Sequence, residues 1–116
     1  MKANKIYILT NENFHQEVLL SKQLVLVEFS ADWCGASQII APILDDMIIK
    51  FKDHIKFCKV DIEDYEELAK QYGIHKIPTI LLFKNGRTID CIVGLVARET
   101  LEKRLAILTL KGKETK

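Results

Sequence analysis

The chain has 116 residues, with 17 Lys and Arg against 16 Asp and Glu for a formal net charge of +1. That length fits one domain, and 48% hydrophobic residues with only two prolines and five glycines exclude a disordered, collagen-like or repeat chain. Near-balanced charge offers no basic patch for phosphate, so nucleic acid and anionic membrane are not expected as partners.

Lys5 to Leu9 (KIYIL) is short, β-branched and aromatic and predicts a strand; Thr10 and Asn11 then offer N-cap chemistry for a helix over Asn11 to Leu20, whose stripe is Phe14, Val18 and Leu19. LVLVEF, Leu24 to Phe29, is a nearly continuous apolar run and predicts a central strand covered on both faces. From Cys34 to about Lys52, Ile40, Ile43, Leu44, Met47, Ile48 and Phe51 recur at helical spacing, with Pro42 expected to kink the helix. A strand at Ile55 to Asp61 follows. Tyr65 to Tyr72 then reads as a short helix, charged in its first turn by the acidic run Asp61 to Glu67 and ended by Gly73. IPTILLF and TIDCIV flank the Asn85-Gly86 pair and predict a hairpin, and Ala97 to Leu110 carries Leu101, Leu105 and Leu108 as the buried stripe of a last helix.

The resulting order, β-α-β-α-β-α-β-β-α, implies a three-layer α/β sandwich spanning residues 1–110, with 111–116 as a frayed tail. Strands separated by helices are expected to be parallel and the terminal hairpin antiparallel, which makes the sheet mixed.

Three cysteines, Cys34, Cys58 and Cys91, cannot all pair within one chain, which suits a reducing compartment better than a disulfide-stapled fold. The opening MKANKIYILTNENF shows no apolar targeting core, and no segment approaches the roughly 18 apolar residues of a membrane span. A soluble cytoplasmic protein, monomeric and without a membrane partner, is expected.

Trp33-Cys34-Gly35-Ala36-Ser37 lies where a buried strand passes into a helix, which sets Cys34 at the helix N-terminus. Unpaired backbone N–H groups and the positive end of the helix dipole favour a thiolate there, and so a nucleophile. The competing reading is a small buried hydrophobe. Cys58 and Cys91 fall within predicted strands, where a buried, inert core thiol is expected of each. His15, His54 and His75 are spread over different elements, no Cys/His spacing suggests a metal, no Gly-rich phosphate loop is present, and no cofactor is expected.

On VEFSADWCGAS at 27 to 37, Ala41-Pro42, KVDIED at 59 to 64, YGIHKIPT at 72 to 79, LLFKNG at 81 to 86 and VG at 93 to 94, the sequence resembles the thioredoxin family over nearly its whole length. The resemblance implies a thioredoxin fold, a central mixed five-stranded sheet flanked by four helices. It also implies attack of Cys34 on protein disulfides or glutathione, and a reductase-like reductant if the chain descends from a dithiol ancestor. Pro78 resembles the family's cis-proline, and Trp33, Gly35, Ala36, Ile77, Pro78, Gly94 and Leu95 would line a peptide groove. His75 and Lys76 precede that proline, either tuning Cys34 or simply solvated.

The sequence departs from the family at Ser37, which replaces the resolving cysteine, and at Ala36, which replaces a proline. A hydroxyl cannot form the disulfide that stores two electrons, so release from a mixed disulfide falls to an outside thiol or to the substrate's own second thiol. Glu28 stands where the family holds a buried Asp. It either shuttles protons at a raised pKa or forms an ion pair with Lys59 on the neighbouring strand. Three functions compete: a monothiol exchange protein, a noncovalent binding module that keeps only the groove, and an ordinary thioredoxin whose second cysteine has been replaced to trap partners. Monothiol glutaredoxins share the Cys-x-x-Ser spacing, but the flanking residues resemble thioredoxin.

Overall fold

Every residue of the run Leu24–Ser30 is buried, as its apolar character demands, and it forms the middle strand, β2. The structure, a computed structural model, describes residues 5–114, with side chains through 110. Around β2 stand β1 (Tyr7–Ile8), β3 (Ile55–Asp61), β4 (Thr79–Lys84) and β5 (Arg87–Val93), in the order β1-β3-β2-β4-β5. β1 and β3, and β3 and β2, pair in parallel; β4 is antiparallel to β2 and to β5.

The direction of β4 corrects the expectation that every helix-separated strand pair is parallel. The helix before it, α2 (Glu66–Gln71), has six residues and rises only about 9 Å. A seven-residue strand such as β3 spans about 23 Å. Too short to carry the chain back along the sheet, α2 delivers it to the end where β3 finished, and β4 departs the other way.

The alternation of β2 sorts the core into two layers. Leu24 and Leu26 meet Ile40, Leu44 and Met47 of α1 (Gly35–Phe51) and Leu101 and Leu105 of α3 (Arg98–Glu114). On the other face Val25, Val27 and Phe29 meet Phe14, Val18, Leu68 and Ala69. The first helical segment is a short π-helical turn, His15–Leu19, marked by Leu20 N–H donating to His15 O at 3.0 Å; it replaces the longer helix expected from Asn11. Thr10 and Asn13 fix its approach reciprocally: Asn13 N–H donates to Thr10 Oγ1 at 3.1 Å, and Thr10 N–H to Asn13 Oδ1 at 2.7 Å. α1 runs unbroken through Pro42. α3 is helical past Lys111 to Glu114, where the sequence suggested fraying; Thr115 and Lys116 lie outside the described residues.

Two turns follow from local chemistry. Asn85 at φ 53° and Gly86 at φ 80° take the left-handed conformation that closes β4 to β5, and a Cβ on Gly86 would sit 2.9 Å from Leu19 O. Gly73, at φ 67°, ends α2: its N–H donates to Lys70 O and that of Ile74 to Ala69 O, each at 3.0 Å.

β5 is an edge strand. Gly94 N–H donates to Pro78 O at 2.7 Å, which sets the parity of the ladder and leaves the N–H and C=O of Cys91 aimed away from β4. Side chains answer both groups. Asp90 Oδ1 accepts from Cys91 N–H at 2.8 Å, while Arg104 of α3 grips Asp90 through Nε at 3.1 Å and reaches Cys91 O at 3.5 Å.

Candidate active site

The carboxyl end of β2, the start of β4 and the end of β5 meet at one end of the sheet, because Phe29 pairs with Thr79 and Thr79 with Val93. The chain from Ser30 to Cys34, the Pro78 bend and Gly94 are therefore brought together there. Cys34 is the N-cap of α1, with extended φ and ψ of −83° and 123°, and its carbonyl accepts the first helical bond from Gln38 N–H at 3.1 Å.

The Cys34 thiol is half-buried and free. Hydrogen bonding from the Ser37 backbone N–H holds its pKa below the ordinary cysteine value against desolvation, with smaller help from the Ser37 hydroxyl and the Ala36 N–H. These are the orphan donors of a helix start, turned onto sulfur. Ser37 itself is buried, and its Oγ also accepts from Ala31 N–H at 3.5 Å.

Behind the helix start lies Glu28, 4% exposed. Burial pushes its carboxyl above the usual range, opposed by the Lys59 ammonium and the Ser30 hydroxyl, while Asp32 adds to the rise. Glu28 and Lys59 are register partners across β2 and β3, yet the direct ion pair weighed from the sequence does not form: the Lys59 ammonium lies 3.6 Å from the exposed Asp32 carboxylate. The strong penalty for taking an ammonium out of water keeps Lys59 near the surface.

The Ile77–Pro78 peptide is cis. Thr79 Oγ1 donates to Lys76 O at 2.5 Å, and Gly94, at φ 80°, is buried against this bend. Trp33 is 63% exposed and Leu95 50%, two apolar surfaces at the same end of the sheet. Gly35 is open, Ala36 and Ile77 are half-buried and Pro78 is buried. His75 and Lys76 are exposed.

The other thiols are elsewhere. Cys58 is fully buried on the sheet face opposite Glu28, and burial pushes its thiol up to about 12. Cys91 is exposed, which corrects the expectation of a core thiol: β5 is an edge, and this residue projects beyond the reach of the covering helices. Among the described residues no group of three or more His, Cys, Asp and Glu converges on a metal position, and no helix is long and apolar enough to cross a membrane. Sequence reasoning missed the Asp32–Lys59 contact and the enclosed Ser30 hydroxyl. The strand register, once known, puts Ser30 opposite Asp61 within the sheet, while the Asp32 contact depends on the loop beyond β2.

A thiol made acidic by main-chain N–H groups and open to solvent is equipped to attack sulfur, so fold and site define a thiol–disulfide oxidoreductase. Comparison with known proteins makes the assignment particular: residues 5–107 match the Thioredoxin family model, and the chain belongs to the thioredoxin family. It is 42% identical over 96 residues to Thioredoxin 1 of Synechococcus elongatus, covering 83% of this chain and 90% of that one. It is 43% identical over 89 residues to a thioredoxin of Griffithsia pacifica, covering 77% and 82%. Against Thioredoxin M5, chloroplastic, of Oryza sativa subsp. japonica it is 40% identical over 99 residues, 85% of this chain and 58% of the relative.

Proposed function

We propose that the chain exchanges disulfides with a single nucleophile, Cys34, and depends on a thiol from outside to be freed. The observation that carries this reading is the buried Ser37, in the first turn of the helix that Cys34 caps and at the position where the resolving thiol of the family is expected, which helps to lower the Cys34 pKa. Cys58 is enclosed on the far face of the sheet and Cys91 lies on the edge strand, so neither is a substitute without rearrangement.

The Cys34 thiolate attacks one sulfur of a substrate disulfide. A bond forms between Cys34 and that sulfur, the substrate S–S bond breaks, and the departing half leaves as a thiolate that takes a proton. Cys34 is thereby oxidised and the departing half reduced. A small thiol of the glutathione class, as its thiolate, then attacks the substrate sulfur of the mixed disulfide; Cys34 leaves reduced, and the new disulfide joins the outside thiol to the substrate half. Disulfides are exchanged without net consumption, a chemistry suited to isomerisation and deglutathionylation.

In this scheme Glu28, whose pKa burial raises, supplies protons to departing thiolates, with Lys59 limiting that rise. Trp33, Gly35, Ala36, Ile77, Pro78, Gly94 and Leu95 hold the extended substrate. A reducing compartment such as the cytoplasm fits three free cysteines.

Incubation with glutathione disulfide, followed by mass mapping, tests the reading. The expected product carries one glutathione, on Cys34, removed by excess monothiol; Ser37→Cys should add self-resolving turnover. An intramolecular Cys34 disulfide in the parent chain, or no adduct on Cys34, would overturn it.

A further inference from the structure

The bend that delivers Pro78 also carries an exposed cation. Thr79 Oγ1 ties down the Lys76 carbonyl at 2.5 Å, so the backbone from which this side chain departs is fixed. The side chain then runs along the open flank of Gly94, where a built Cβ would lie 3.9 Å from Lys76 Cε. Gly94 is itself anchored to Pro78 O at 2.7 Å, and the exposed Leu95 follows it. The last methylene of Lys76 is thus laid against the rim of the substrate end, with the ammonium just beyond it.

Neither acid just before Cys34 in the chain is left to answer this cation. Asp32 is answered by Lys59 at 3.6 Å, and Glu28 is buried with its carboxyl pushed toward the neutral form. Among the described residues Lys76 is in no ion pair. A cation outside any ion pair at the mouth of a reactive site biases the approach of charged reactants, and does so most at low ionic strength.

We propose that Lys76 is a specificity-determining residue that draws disulfides bearing carboxylates, the class that includes glutathione disulfide, to Cys34. The inference rests on the single-nucleophile reading and adds a substrate class to it. Attack proceeds as above: the Cys34–sulfur bond forms, the S–S bond of the carboxylate-bearing disulfide breaks, and the released half departs as a thiolate that is then protonated. Lys76 is neither donor nor acceptor in that step. It attracts the carboxylate.

Three small disulfides that differ mainly in charge test this: dithiodipropionate as dianion, hydroxyethyl disulfide as neutral compound and cystamine as dication. Each rate of mixed-disulfide formation on Cys34 is divided by the rate of the same disulfide with a free uncharged thiol. The parent chain should favour the dianion over the dication by about tenfold at low salt, shrinking as ionic strength rises. Lys76→Met should bring that ratio close to unity, and Lys76→Glu should reverse it. A ratio that Lys76→Glu leaves unchanged overturns the proposal. Failure of the parent chain to react even with the neutral disulfide would instead overturn the underlying reading of Cys34.

Discussion

Glu28 and Cys34 show how environment moves two acids in opposite directions. Cys34 is lowered by hydrogen bonds that stabilise its anion; Glu28 is raised by burial that penalises its own. A carboxyl whose folded pKa exceeds its unfolded value keeps a proton in the native state that the unfolded chain has lost, so stability falls as pH rises from about 4.5 through the raised value. Glu28→Gln removes that penalty. The variant should be more stable than the parent by about 1 to 3 kcal/mol at pH 8 and gain nothing below pH 4, measured by urea unfolding across pH. Equal stabilities at pH 8 would mean that the carboxylate is well satisfied where it lies. The Cys34–Ser37 arrangement was legible because a helix N-terminus and its cap are neighbours in the chain. Lys59 beside Asp32 and Lys76 beside Gly94 were not, since each contact joins residues from separate elements.

The elements themselves followed closely from hydrophobic period and turn chemistry. The strand Ile55–Asp61 begins and ends where the pattern does, and Gly73 terminates α2 as a left-handed glycine should. At β1 only Tyr7–Ile8 pair with β3, because Thr10 already turns the chain into its cap. What periodicity does not carry is strand direction. The reversal of β4 depends on how far α2 travels, and the exposure of Cys91 depends on which strand ends the sheet. The Asn85-Gly86 turn yields the clearest element-scale prediction. Gly86→Ala places a Cβ against Leu19 O in a backbone conformation that alanine resists, and should cost about 1 to 3 kcal/mol, read as a lower thermal midpoint with an unchanged fold by circular dichroism. An unaltered midpoint would show that the turn relaxes at no cost.

Over the whole molecule, position in the sheet separates a thiol of lowered pKa from one of raised pKa. Cys34 sits at the open end where β2, β4 and β5 converge; Cys58 is enclosed between β1 and β2 in the middle of the opposite face. Core layers of unequal helical cover leave β5 the barest of the long strands, with only Ile92 buried along Arg87–Val93. The bonds that Asp90 and Arg104 make to the outward backbone of Cys91 then matter beyond their own modest worth as a half-exposed pair. They occupy the central main-chain groups with which a second sheet would dock, and so discourage one molecule from templating onto another. Arg104→Ala should expose that margin and increase self-association at a given concentration, seen by sedimentation, while an equally sized aggregate-free parent and variant would argue against it. A protein that handles other chains' sulfur in crowded solution has, along β5, a selvage that keeps its own fabric from being sewn to its neighbours.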